Sequence, residues 1–232
     1  MRLGLGISIP GTSGLVQAAF SPLDLSPVLW LDASDTSTIT EVGGAVSQWD
    51  DLSGNGNDVV QATAALQPTT GTRTLNSLNV IDFQDDGMNV TFSSSISQPN
   101  TIIIVLEQDL TQSASFFDGS TAAARNLGGT LTTTYRMLSD TTITGGTTDT
   151  DPHILRFLFN GASSTLHVDG VGVISGNSGA EGIAGFTVGN NYPFTGNFTG
   201  AIAEVIVVDG TLTAGQISDT ESYLANKWGI TI

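Results

Sequence analysis

Cysteine is absent from the 232 residues, so no disulfide, thiolate metal site or iron–sulfur cluster is available. Positive charge is scarce as well. Six Lys and Arg stand against 22 Asp and Glu, for a net charge of −16. A nucleic-acid groove needs clustered basic side chains, and an anionic membrane surface repels so acidic a chain; both classes of partner are excluded. No apolar run approaches the ~18 residues of a membrane span. The opening stretch MRLGLGISIPGTSGLVQAAF has one positive charge, but Gly and Pro break its apolar pieces, so it reads poorly as a signal peptide. Charged residues make up only 12% of the sequence, while Gly, Ser and Thr are abundant, which favours strands over helices. The acidity itself suits a soluble surface, a cation site or high salt.

At this length roughly 70% of the unfolded surface can be buried, so one core suffices without staples. Strand signals recur at a spacing of about ten residues with Gly, Asn and Asp turns between them, and no βαβ alternation appears. The expectation is all-β: an antiparallel two-sheet jelly-roll sandwich with one short C-terminal helix. VSQWDD and VVQ read as a hairpin around a dense turn cluster, as do the strands flanking Gln84-Asp85-Asp86-Gly87. TIIIVLE at residues 101–107 has the continuous apolar character of a central strand.

The last stretch organises the rest. Ile202, Val205, Ile206, Val207 and Val208 form a β-branched run suited to a strand covered on both faces. Asp209-Gly210 supplies a turn, and Thr213 with Gln216 fits a capping box. Ala214, Ile217, Leu224 and Trp228 then share one helical face, Lys227 suits the negative end of the helix dipole, and Gly229 suits a stop. Residues 23–232 read as one domain preceded by an arm, residues 1–22. The arm exposes Leu3, Leu5, Ile7 and Ile9, and is either a partly ordered tail or a segment that orders on a neighbouring subunit or larger assembly.

Two roles fit the acidic loops. Asp51, Asn55 and Asp58, and separately Asp85 and Asp86, offer the hard oxygen ligands calcium prefers; equally, Asp and Asn make turns by bonding nearby backbone N–H groups. Tyr192, Phe194 and Phe198 lie in a Gly/Asn-rich loop, either as an aromatic platform for a sugar ring or as a cap folded back on the core. Trp30, Trp49 and Trp228 read as core. His153 and His167 have no metal-ligand spacing; His167 and Asp169 share a strand face, but no activated nucleophile accompanies them.

Several stretches together resemble laminin-G-like jelly rolls of the concanavalin A-like lectin/glucanase superfamily. They are LSPVLWLDASD, WDDLSGNGND, NVIDF, the FNG and LHVDG pair, and the closing GAIAEVIVVD with YLANKWGI. Their order matches over about Leu25 to Ile230. Two departures stand out: Ala203 replaces an Asp often found before the acidic residue of the last strand, and the loop after Phe83 is short. The superfamily's glucanases need carboxylates alternating on one strand, and none of Glu41, Glu107, Glu181, Glu204 and Glu221 heads such a motif. The resemblance therefore implies a non-enzymatic bacteriophage virion component, a decoration or attachment protein on the capsid or tail surface. It would be made in the host cytoplasm, form homo-oligomers, and dock to other virion proteins through the arm. The alternative is a carbohydrate-binding adhesin domain of a bacterial surface protein, with calcium as the one candidate cofactor.

Overall fold

A strand that is apolar on both sides cannot leave either face in water, and the closing β-branched run sets the layering of the whole domain. The computed structural model describes residues 19–121, 123–196 and 198–232. In chain order the strands are β1 (Leu29–Asp32), β2 (Ile39–Val42), β3 (Ala45–Trp49), β4 (Val59–Val60), β5 (Thr69–Leu75) and β6 (Leu78–Gln84). Then come β7 (Met88–Ile96), β8 (Asn100–Gln108), β9 (Ala114–Asp118), β10 (Leu127–Leu131), β11 (Thr134–Leu138) and β12 (Thr142–Gly145). The series closes with β13 (Pro152–Phe159), β14 (Ser164–Val168), β15 (Val171–Gly176), β16 (Ile183–Val188), β17 (Thr199–Asp209) and the helix α1 (Ala214–Trp228).

β17 is central in the first sheet. It pairs with β8 along one edge, and with β6 and then β1 along the other. Beyond β8 the sheet continues through β13, β14 and β15, and beyond β6 through β5. The second sheet runs β2-β3-β4-β7-β16-β9-β10-β11-β12. All these pairings are antiparallel, and one residue pair, Ala45↔Thr69, joins the two sheets. The molecule is an antiparallel two-sheet jelly-roll sandwich carrying a single α-helix among the described residues.

Alternation along β17 sends Val205 and Val207 into the space between the sheets, with Leu29, Leu31, Ile102 and Ile104. From the other sheet Phe117 packs edge-on to Phe157 and stacks on Phe186, at 4.9 and 5.5 Å between centroids. Ile206 and Val208 point outward with Ile103 and Val105, and there Leu224, Trp228 and Leu25 cover them. Burying a leucine such as Leu224 stabilises by ~1.5–3 kcal/mol, so this third layer is an integral part of the domain. No helix of the described residues is long and apolar enough to cross a membrane.

The capping box at Thr213 and Gln216 forms, and Gly229 ends α1 in the left-handed region at φ 73°. The buried face differs from the spacing argument. It consists of Thr220, Glu221, Leu224 and Trp228, whereas Ala214 is exposed and Ile217 half-buried. The reason is an ion pair: Glu221 accepts from Arg156 Nε of β13 at 2.9 Å, which draws a carboxylate into the interface.

Three other expectations need correction. Gln84-Asp85-Asp86-Gly87 is no hairpin, because β6 belongs to the first sheet and β7 to the second; Asp85, at φ 65°, turns the chain from one layer to the other. β2, β5 and β10 went unrecognised, the first two being polar and largely exposed, the third holding two glycines. The folded body also begins earlier than residue 23. Phe20 packs on Tyr223, and Ser21 caps a 3-10 turn at Pro22–Leu25. Leu3, Leu5, Ile7 and Ile9 lie outside the described residues.

Candidate functional site

Two polar centres sit on opposite sides of the sandwich, and only one of them is open. The closed one lies beneath α1. Along β17 the ladder with β8 slips between Ile202 and Glu204. Ile202 faces the inner core, while Ala203 joins the outer cluster and Glu204 points out under the helix. Without this bulge, alternation would drive Glu204 into the apolar interior; such insertions re-aim side chains in this way. Glu204 is 1% exposed. Its Oε1 accepts from Trp30 Nε1 at 2.9 Å and the Tyr223 hydroxyl at 3.1 Å, its Oε2 from Lys227 Nζ and Trp228 Nε1, both at 2.8 Å. Lys227 also donates to Asp32 Oδ2 at 2.5 Å. Burial raises the Glu204 carboxyl above its ordinary range, and the lysine pulls it back. Lys227 thus serves a buried pair of carboxylates as well as the helix end, and Trp30 is a hydrogen-bond donor as well as a packing residue. Every oxygen of Glu204 is used, which suits a clasp between helix and sheet.

The acidic candidates separate into two places. Asp51 Oδ1 accepts from Trp30 N and Ser53 N, and Oδ2 from Ser53 Oγ and Asn57 N, over 2.6–3.0 Å. Asp58 accepts from Asp51 N, and Asn55 donates to the Pro27 and Val28 carbonyls. This loop is therefore a backbone scaffold against β1. Asp85 and Asp86 lie in the turn between the sheets, where burial raises the Asp86 carboxyl against a bond from Gln84 N. Among the described residues no group of three His, Cys, Asp or Glu side chains is placed to hold a metal ion.

The open centre surrounds Asp118 at the end of β9. Asp118 is fully buried. It takes a two-pronged ion pair from Arg125, Nη2 to Oδ2 at 2.6 Å and Nε to Oδ1 at 3.2 Å, and Oδ2 also accepts from Tyr192 N at 3.2 Å. Burial raises this carboxyl, with Arg125 opposing. The loop carrying Tyr192 is held just as firmly. Asn190 donates to the Asp85 and Asp86 carbonyls and accepts from Asn191 N and Gly196 N. The fold thus brings Asp85 and Asp86 beside Tyr192 and Phe194, which the sequence treats as separate sites. Phe194 lies over Gly87, where an added Cβ would stand 2.6 Å from its ring. Phe198 must be corrected: it is 0% exposed, packed on Phe83 and Phe116, and cannot present its ring to a sugar. Tyr192 and Phe194 stay half-exposed.

Asp169 serves a different histidine from the one on its own strand. His153 Nδ1 lies 2.6 Å from Asp169 Oδ2, and His153 Nε2 lies 2.9 Å from Asp149 Oδ1. Burial alone would lower His153, but these two carboxylates outweigh it and raise it to about 9. His167 stands near Arg156 with a buried Nδ1 that has no partner, and burial lowers it. Sequence reasoning missed Asp118, Arg125 and Arg136 altogether. Their only signal was rarity, two of six cations within twelve residues of weak strand pattern.

No protein-family model matches the chain, and no curated protein sequence matches it either. Solved structures do. Trypanosoma rangeli sialidase in complex with sialic acid is 13% identical with a TM-score of 0.60, covering 87% of this chain and 33% of that one. The ligand binding domain of botulinum neurotoxin serotype D in complex with N-acetylneuraminic acid is 12% identical with a TM-score of 0.61, covering 88% of this chain and 53% of that one. A binding domain of botulinum neurotoxin serotype D/C is 14% identical with a TM-score of 0.57. This chain spans about a third of the sialidase and about half of each toxin chain. At such identities the likeness is one of fold alone, an antiparallel β-sandwich.

Proposed function

We propose that this chain is a non-catalytic carbohydrate-binding module that reads a glycan at the Asp118 end of the sandwich. The observation that carries the reading is the Tyr192 loop, half-exposed yet bonded to a fully buried carboxylate beside Arg125. A loop whose backbone is anchored in this way pays little ordering cost when its aromatic side chain stacks against a sugar, and a nearby arginine supplies directed donors. The fold shared with a toxin domain solved with N-acetylneuraminic acid supports the choice of ligand class. The non-catalytic part rests on the carboxylates. Asp32 and Glu204, bridged by Lys227, are buried beneath α1, away from any substrate.

A glycan array probed with the purified chain tests this, followed by titration of the best hit. Tyr192→Ala should weaken binding about tenfold or more, the loss of roughly one stacking contact. An array with no glycan bound overturns the reading.

One observation favours a particular setting for this activity. Phe20 enters the folded body on Tyr223, on the helix-bearing face, whereas β9–β11 present their outer face on the opposite side. We propose that residues 1–22 anchor the module to a virion from behind while the second sheet faces outward.

A further inference from the structure

We propose that Arg136, on the outer face of the second sheet, binds the carboxylate of an acidic saccharide. The inference rests on the carbohydrate-binding reading above and names the ligand's charge and the residue that receives it.

Among the described residues, Arg73 pairs with Asp82, Glu107 and Asp109. Arg125 pairs with Asp118, Arg156 with Glu221, and Lys227 with Asp32 and Glu204. Among these residues Arg136 makes no ion pair; Asp118 attracts it only at longer range, and Arg125 opposes that attraction. In a chain with 22 acidic and six basic side chains, an unpaired arginine runs against the odds of composition. Nor does it lie free in solvent. Its Nε is buried without a partner, and burial lowers its pKa. A half-buried guanidinium with unused donors is costly unless an anion completes it.

Its position is built. Tyr135 and Met137 of β11 face the core, which turns Arg136 outward. On β10 its register partner is Gly129, so no side chain stands between Arg136 and β9. The guanidinium reaches β9, where Nη2 donates to Ser115 Oγ at 2.8 Å and to the Ala114 carbonyl at 3.4 Å. Among the described residues Nη1 donates to no protein group, which leaves it for a ligand. Ser115 in turn lies against the aromatic loop: an added Cβ on Gly196 would stand 2.9 Å from the Ser115 Cβ. Arg136, Arg125 and the Tyr192 loop therefore share one end of the sheet, where Asp118 pairs with Arg125 and leaves Arg136 without an ion pair. A planar fork of N–H donors matches a carboxylate.

The test uses the full chain against oligosaccharides ending in glucuronate, galacturonate or N-acetylneuraminate, each beside its carboxyl-reduced counterpart. The wild type should bind at least one acid about tenfold tighter than its neutral twin. Arg136→Gln should erase that difference while the circular dichroism spectrum stays that of the wild type. Arg136→Lys keeps the charge without the fork and should retain only part of the preference; it serves if the glutamine variant fails to fold. Arg73→Gln, far from the patch, should change nothing. An acid preference that survives in Arg136→Gln, or equal binding of acid and neutral twins by the wild type, overturns the proposal and leaves the carbohydrate reading standing. Binding of free acetate as tight as of the acids overturns it too, because an anion pocket is then all that exists. No binding of any sugar removes both.

Discussion

Replacing Lys227 by methionine isolates the clasp under α1, because methionine keeps an apolar stem of similar length and removes only the charge. Among the described residues Lys227 is the one cation paired with Asp32 and Glu204, whose side chains are 11% and 0% exposed. Breaking one member of such a buried set costs about 3–5 kcal/mol, since the remaining carboxylates stay desolvated without a counterion. The ammonium also sits 5.4 Å from the Tyr223 ring and 4.9 Å from the Trp228 ring, contacts worth about 0.5–1 kcal/mol each where part-exposed. The summed loss is a large share of the ~5–15 kcal/mol that holds a domain together. Urea unfolding followed by tryptophan fluorescence reads it directly, because Trp30 and Trp228 both donate to Glu204. The sign with pH is fixed as well. Glu204 has a folded-state pKa above its ordinary value, so its protonated form favours the fold and its ionisation opposes it. The penalty of Lys227→Met should therefore be largest at pH 7 and shrink as the pH falls toward 5. A loss below ~1 kcal/mol at pH 7, or one of equal size at both pH values, refutes the clasp.

His153 gives a second pH dependence of known sign. Its folded-state value of about 9 lies above the ordinary 6.5, so its stabilisation is complete below about pH 6.5 and is lost as the pH rises through 9. That rise is worth at most ~3 kcal/mol, and urea midpoints for the wild type should fall between pH 6.5 and 9.5 with a slope that His153→Gln lacks. Deleting residues 1–18 should leave the melting temperature and glycan binding unchanged and abolish association with particles; a melting temperature several degrees lower would assign those residues to the sandwich.

The strands most legible in the sequence are those with long buried apolar runs. β8, β13 and β17 carry apolar runs because each has a sheet on both edges and a covering layer on its faces. β5, TTGTRTL, has no such run because it borders the sheet and alternates between exposed and half-exposed positions. The helix was legible from its capping box, which is local chemistry. Its buried face was legible only in part: Leu224 and Trp228 follow from the spacing, whereas Glu221 owes its place to Arg156, 65 residues away. The site divides in the same way. Tyr192 and Asp85 stand out in sequence as a loop aromatic and a turn acid. That Asn190 ties them together, and that Arg136 reaches Ser115 across a glycine, follows from register between strands, which no local pattern encodes.

Lys227 is the single lysine in the sequence, and its amine is held by two carboxylates and a phenol under the helix. Acylating reagents that attack amines therefore meet no free lysine while α1 stays down. Any modification of that residue reports the amine leaving its carboxylates, and its rate against reagent concentration measures how often this occurs. A covalent reporter of local opening is thus already present, without an engineered label.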